Sequence, residues 1–136
     1  MRMSDKCFLD SNIVIYLFDK NEQKKETVIG LIKQRPLISS QVIIECLNIS
    51  IKKLKISKDV CFKNAEHLFE NCGFFMISIP TLKKSFEIAK RYQYSHLDSL
   101  IIASALEANC KTLYSEDMQH NQMLNKKLQI INPFLK

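Results

Sequence analysis

Asp10, Glu45, Asp98 and Asp117 are acids set in unusual company. Asp10 follows Cys7-Phe8-Leu9, an apolar run short enough for a buried strand, and leads into Ser11 and Asn12. Glu45 lies in Val42-Ile43-Ile44-Glu45-Cys46-Leu47, and Val42 and Ile49, three before and four after it, put it on an apolar helical stripe. Asp98 stands above Ile101, Ile102 and Ala105 in the first turn of another helical pattern, and Asp117 follows Lys111-Thr112-Leu113-Tyr114 as Asp10 follows the first run. Two of the acids thus sit at strand ends and two on inward helix faces. Gathered together, such carboxylates repel, and one takes up a proton unless a cation joins them. The hard cations Mg²⁺ and Mn²⁺ take oxygen ligands of this kind. Held there, either ion equips a site to hydrolyse a phosphodiester.

Each acid also has a plainer reading. Asp is a favoured N-cap, so Asp10 can simply start a helix. Glu45 can be a solvated acid at the edge of a wide apolar face. Ser95-x-x-Asp98 matches a capping box, in which the acid also meets the helix dipole. Asp117 can be a turn acid. A capping acid still has an oxygen to offer elsewhere, so the two readings are compatible.

The elements that must position these residues alternate along the chain. After the first strand and its helical sequel, Lys20 to Gln34 reads as a surface helix with Val28, Ile29, Leu31 and Ile32 inward, ended by Pro36. Leu37 to Ser39 is a second strand, and Ser40 a candidate cap for a helix over Gln41 to Leu54. Ser57 caps a helix over Lys58 to Asn71, stopped by Gly73, and Phe74 to Ile79 reads as a strand. Pro80 and Thr81 open a helix to Tyr92, Ser95 opens another over His96 to Asn109, and Lys111 to Tyr114 is a strand. A polar loop or short helix then leads to a last strand, Leu128 to Ile131. Strands alternating with helices predict an α/β fold, a central parallel sheet of four to five strands with helices on both faces. The carboxyl edge of such a sheet is where ligands bind.

The 136 residues suit a single domain over 1–136 with one core. No apolar run approaches a membrane span, and Met1 to Lys6 meets a strand too soon for a signal peptide. Five scattered cysteines (Cys7, Cys46, Cys61, Cys72 and Cys110) point to free thiols in a reducing cytoplasm. Only two glycines, Gly30 and Gly73, occur, which rules out a dinucleotide fingerprint or a P-loop. No Ser or Cys is paired with a base in the manner of a nucleophile. The net charge of +6 favours polyanionic partners. Acids gathered at one place in a basic protein suit cleavage of a nucleic-acid backbone. Lys52, Lys53 and Lys55, then Lys83, Lys84, Lys90 and Arg91, are candidate phosphate contacts, although any one of them can be an ordinary solvated lysine or arginine.

Phe8-Leu9-Asp10-Ser11-Asn12, Glu45 in its helix, His96-Leu97-Asp98-Ser99-Leu100-Ile101-Ile102-Ala103-Ser104-Ala105 and Leu113-Tyr114-Ser115-Glu116-Asp117-Met118-Gln119-His120 resemble the PIN-domain family, closest to its VapC-type toxins. The likeness runs in order to the closing Ile131-Asn132-Pro133-Phe134. It implies a PIN fold and a Mg²⁺- or Mn²⁺-dependent endoribonuclease, usually a homodimer, held inactive by a VapB-type antitoxin. By position it implies Asp10, Glu45 and Asp98 as metal-binding catalytic acids and Asp117 as a more variable fourth. Ser11, Asn12 and Ser115 would hold carboxylates or water in place. The chain departs from the pattern at Asn121, where relatives often carry Gly, and at His96-Leu97, where they carry bulkier rings. Two rivals use similar residues. A phosphoacceptor signalling domain would need an acceptor Asp after the third strand, where this chain has Pro80. A non-catalytic RNA- or protein-binding module on the same fold would be expected to lack one of the acids.

Overall fold

The computed structural model describes residues 6–135. Six strands make one sheet: β1 (Cys7–Leu9), β2 (Leu37–Ser39), β3 (Gly73–Phe75), β4 (Thr112–Tyr114), β5 (Met123–Leu124) and β6 (Leu128–Ile131). Their spatial order is β3-β2-β1-β4-β6-β5, parallel throughout except for the β5–β6 pair. The helices are α1 (Ser11–Val14), continued as a 3₁₀ turn over Ile15–Phe18, then α2 (Glu22–Ile32), α3 (Ser40–Lys52), α4 (Lys58–Asn71), α5 (Ile79–Tyr92) and α6 (His96–Glu107). The expected α/β architecture is present, with one strand more than the four to five anticipated.

The chain runs outward from β1 through β2 to β3, then returns to add β4 on the other side of β1. The sheet therefore reverses its building direction between β1 and β4, the crevice where open α/β sheets bind ligands. The register pairs Leu9 with Tyr114. Asp10 and Ser115, each one residue further on, consequently emerge together at the carboxyl edge. Strands this central are apolar on both faces: Phe8, Leu9, Ile38, Leu113 and Ile130 are fully buried. Val42, Ile101, Ile102 and Ala105 cover them from α3 and α6.

Several boundaries differ from the sequence reading, each for a local reason. The strand expected over Phe74 to Ile79 ends at Phe75, because Ser78 and Thr81 close a reciprocal capping box that starts α5 at Ile79. Ser39, not Ser40, is the residue before α3, in extended conformation, and its side chain makes no capping bond. The helix expected from Lys20 spans Glu22–Ile32, capped by the Asn21 side chain, and the one expected to reach Asn109 ends at Glu107. On the expected inward face of α2, Val28 and Leu31 are buried while Ile29 is exposed. Gly73 lies just past the end of α4, as expected, and also opens β3. A Cβ there would meet Leu37 Cδ2 at 2.5 Å, so the missing side chain lets its strand partner lie across it. Strand β5 was not anticipated. It joins β6 through the three residues 125–127, of which Asn125 and Lys126 are left-handed at φ 50° and 57°, the conformation that turns the hairpin.

The five cysteines are buried and free. No helix among the described residues is long and apolar enough to cross a membrane.

Candidate active site

The four acids reach one place from four elements. Asp10 leaves β1 in extended conformation, and its side chain accepts the Ser11 N–H at 2.7 Å, capping α1. Glu45 projects from the second turn of α3, and Asp98 from the first turn of α6, where Ser95 Oγ accepts the Asp98 N–H. Asp117 stands on the turn after β4. All four, with Ser11, Asn12, Asn48, Ile49, Ser95 and Leu97, line one open cleft of about 380 Å³. Asp10 is both the cap that its plainer reading supposed and a wall of this cleft.

A hydrogen-bonded framework orders the carboxylates. The fully buried Ser115 donates its hydroxyl to Asp10 Oδ2 at 2.9 Å. The Ser11 hydroxyl donates to Glu45 Oε1 at 2.7 Å. Asn12 Nδ2 lies 3.3 Å from Ser115 Oγ and 3.2 Å from Asp117 Oδ2, while its Oδ1 accepts the Glu116 N–H at 3.2 Å. The three small polar residues singled out in the sequence thus touch the acids or the turn that carries them. Gln41 was not singled out. Its Nε2 lies 3.2 Å from Glu45 Oε2 and 2.9 Å from the Leu97 carbonyl, tying α3 to the start of α6. The signal was present, since Gln41 and Glu45 are one helical turn apart; the partner on α6 is 56 residues distant and left none.

Burial and like charge raise two of the four acids, Asp10 and Asp98. Asp10 is 4% exposed, and burial pushes its carboxyl up from an ordinary 3.8 to about 7. Bonds from Ser115 and Ser11 offset part of this, and the neighbouring charges of Asp98 and Glu45 add to it. Asp98 is also raised, by burial first and then by Glu45 and Asp117, with Ser95 acting in the opposite sense. All four donors are hard oxygens, so the set fits Mg²⁺ or Mn²⁺ in its chemistry. Among the described residues, however, no group of three or more His, Cys, Asp or Glu side chains is drawn tightly enough to enclose a metal ion. The acids face a common cleft without closing on a point.

The remaining candidates fall outside the cleft. Lys52, Lys53 and Lys55 are exposed at and just beyond the end of α3. Lys52 follows Glu45 by seven residues, the same face two turns on. His67 is exposed, and His120 accepts the Asn132 N–H through Nδ1 at 2.9 Å. Asn121 is left-handed at φ 70°, a conformation that Gly and Asn adopt more readily than other residues. Asn121 therefore sits in a backbone conformation that a Gly at this position would also adopt.

Comparison with known proteins bears on the fold and the family. The chain is similar over most of its length to solved toxin structures. A toxin–antitoxin complex from Klebsiella pneumoniae superposes with a TM-score of 0.72 at 18% identity, covering 96% of this chain and 98% of that one. VapC20 of Mycobacterium tuberculosis, a sarcin–ricin-loop-cleaving toxin, gives 0.67 at 15% identity over 82% and 90%. VapBC2 of Rickettsia felis, bound to a DNA fragment of its promoter, gives 0.64 at 20% identity over 91% and 96%. Identities this low speak to fold. A search among curated proteins found no match. The model of the PIN domain matches residues 7–123, and the chain belongs to that family.

Proposed function

We propose that this protein is a Mg²⁺- or Mn²⁺-dependent endoribonuclease, the toxin of a VapBC-type pair. The observation that carries the reading is the convergence of Asp10, Glu45, Asp98 and Asp117 on one cleft at the β1/β4 reversal of the sheet. The PIN family and the toxin-like neighbours support it. In this reading Asp10, Glu45 and Asp98, with Asp117, hold the cation. When bound, such an ion neutralises charge on the phosphodiester and makes water nucleophilic near neutral pH.

The chain's own residues prepare the site. Ser115 and the Ser11 N–H each hold one oxygen of Asp10. Ser11 and Gln41 hold the two oxygens of Glu45. Asn12 orients Asp117. Asp10, raised to about 7 by burial, takes up a proton as the pH falls through neutrality, and a cation in the cleft would favour its ionised form. Lys52, on the Glu45 face of α3, binds the RNA backbone beyond the cleft, helped by Lys53 and Lys55.

Cleavage of RNA by Asp98→Asn and Glu45→Gln proteins tests the roles of these acids. Each is expected to lose at least about 10²-fold in rate, as removal of one preorganised electrostatic group does. A wild-type rate in either would refute its role. For the lysines, RNA affinity is measured against salt. Lys52/Lys53/Lys55→Ala is expected to flatten the slope of log K against log [salt] by about 0.7 for each phosphate of single-stranded RNA that is no longer neutralised. An unchanged slope would clear all three.

The partners belong to the same proposal. Ile44, Ile77 and Leu97 line an apolar cleft of about 360 Å³ that shares Glu45, Asn48 and Leu97 with the acidic one. Met76 and Ile79 nearby in sequence are 73% and 69% exposed. Apolar surface of this kind marks a contact site, and it supports a VapB-type antitoxin and a second copy of the chain as partners. Five buried free thiols support a cytoplasmic location.

One observation favours a second reading. Because no three acids among the described residues enclose a point, the fold can serve as an RNA- or protein-binding module without chemistry. Such a module would take up no Mn²⁺.

A further inference from the structure

Outside the cleft, a charged and aromatic cluster gathers around Glu116, the residue before Asp117. Lys24 on α2 forms an ion pair with Glu116, 92 residues away in sequence. Its Nζ also donates to Tyr16 Oη at 3.2 Å, and lies 4.7 Å from the Tyr16 ring centroid and 4.9 Å from that of Phe134. Tyr16 in turn donates to Glu116 Oε1 at 2.6 Å and meets Phe134 edge to face at 5.2 Å. The pair is only partly exposed, 30% at Lys24 and 23% at Glu116.

The position of Glu116 gives the cluster its meaning. Its sequence neighbours are Ser115, which holds Asp10, and Asp117, which lines the cleft. Asn12 binds all three residues from the cleft side. Lys24 and Tyr16 hold the Glu116 side chain itself, and Lys24 and Phe134 line a groove separate from the acidic cleft. The turn is thus clamped between two sets of bonds, and only the inner set touches the acids directly. We propose that Lys24, acting through Glu116 with Tyr16 and Phe134 as its platform, is a positioning residue that fixes Ser115 and Asp117 for cation binding. This inference rests on the cation-site reading above and adds to it a control point on α2.

The proposal has an unusual sign. Simple electrostatics predicts that deleting a lysine beside an acidic site makes the site more negative and tightens its hold on a cation. Positioning predicts the reverse, because a turn released on one side lets the Asp10 and Asp117 ligands wander. Groups that orient ligands from behind typically contribute about 10–100-fold in metal affinity. Lys24→Met, which keeps the length of the side chain and removes its charge, separates the two.

Mn²⁺ affinity is measured by calorimetry on the full-length wild type and on Lys24→Met, Lys24→Arg and Glu116→Gln. Amide hydrogen exchange at Glu116 and Asp117 is followed in the metal-free proteins. Lys24→Met and Glu116→Gln are expected to bind Mn²⁺ about 10-fold more weakly, and Lys24→Arg, which still pairs and stacks, within about threefold of wild type. Exchange at both amides should quicken in Lys24→Met. Unchanged or tighter binding by Lys24→Met, while the wild type binds, overturns the proposal and leaves the site reading standing. A wild type that takes up no Mn²⁺ overturns both.

Discussion

Asp10→Asn is expected to cut RNA cleavage at least about 10²-fold and, in the same protein without metal, to stabilise the fold. The two effects have one cause. Folding buries the Asp10 carboxyl and raises it from 3.8 to about 7. Between those values the folded protein binds more protons than the unfolded chain, so stability falls as pH rises. The loss begins above the unfolded value and levels off above pH 7. At pH 8 it amounts to roughly 4 kcal/mol, as an upper figure from about 1.4 kcal/mol per pH unit. Asn carries no charge at any pH and is spared this loss. The difference in unfolding free energy between variant and wild type should therefore grow from pH 4 to pH 7 in favour of Asn and then stay level. Urea titrations across that range read it directly. Cleavage should fall by at least about 10²–10³-fold. A substitution that stabilises the protein while removing its activity marks a group kept for function at a cost to folding. A wild-type cleavage rate, or a stability difference that does not change with pH, would contradict this account of Asp10.

Phe8→Ala should have the opposite outcome. Phe8 is fully buried in β1, paired with Leu37 on one side and Leu113 on the other. Truncating it leaves a cavity in the middle of the sheet, and about 3–5 kcal/mol of stability is expected to go with it. Strand β1 also carries Asp10, two residues on. Activity lost by this variant should return when the protein is restabilised by an osmolyte, whereas that of Asp10→Asn should not. Denaturant unfolding with parallel cleavage assays separates the two cases, and a cost below about 1 kcal/mol would mean that the core does not depend on this ring.

These contrasts show which parts of the molecule were readable from its residues. The strand ends at Asp10 and at Tyr114 were legible because an apolar run broken by an acid leaves a local trace. The register that sets Leu9 beside Tyr114 left none, yet it is what brings Asp10 to Ser115. Helix starts were legible where a side chain truly caps, as at Ser57 and Ser95. At Ser39 and Ser40 two adjacent serines offered the same signal, and the uncapped one proved to be the boundary. The apolar tail Met76 to Ile79 looks like a continuing strand because hydrophobicity carries no marker of its end; the Ser78–Thr81 capping box is that marker. Gln41 was hidden for a different reason. Its partners are a neighbour on its own helix and a carbonyl on another, and only the first lies within local reach. The Lys24–Glu116 pair is wholly non-local. Acids that share a cleft could be suspected from their surroundings; of the residues that aim them, Ser11, Asn12 and Ser115 were named through the family resemblance, while Gln41 and Lys24 left no such trace.

The central claim is that four carboxylates, far apart in sequence, share a divalent cation. An anomalous difference map from crystals soaked in Mn²⁺ tests it most directly. The account predicts a peak in the cleft bounded by Asp10, Glu45, Asp98 and Asp117, their carboxylates drawn inward from the positions they hold without it. A map with no peak in the cleft, and those side chains still apart, would contradict it.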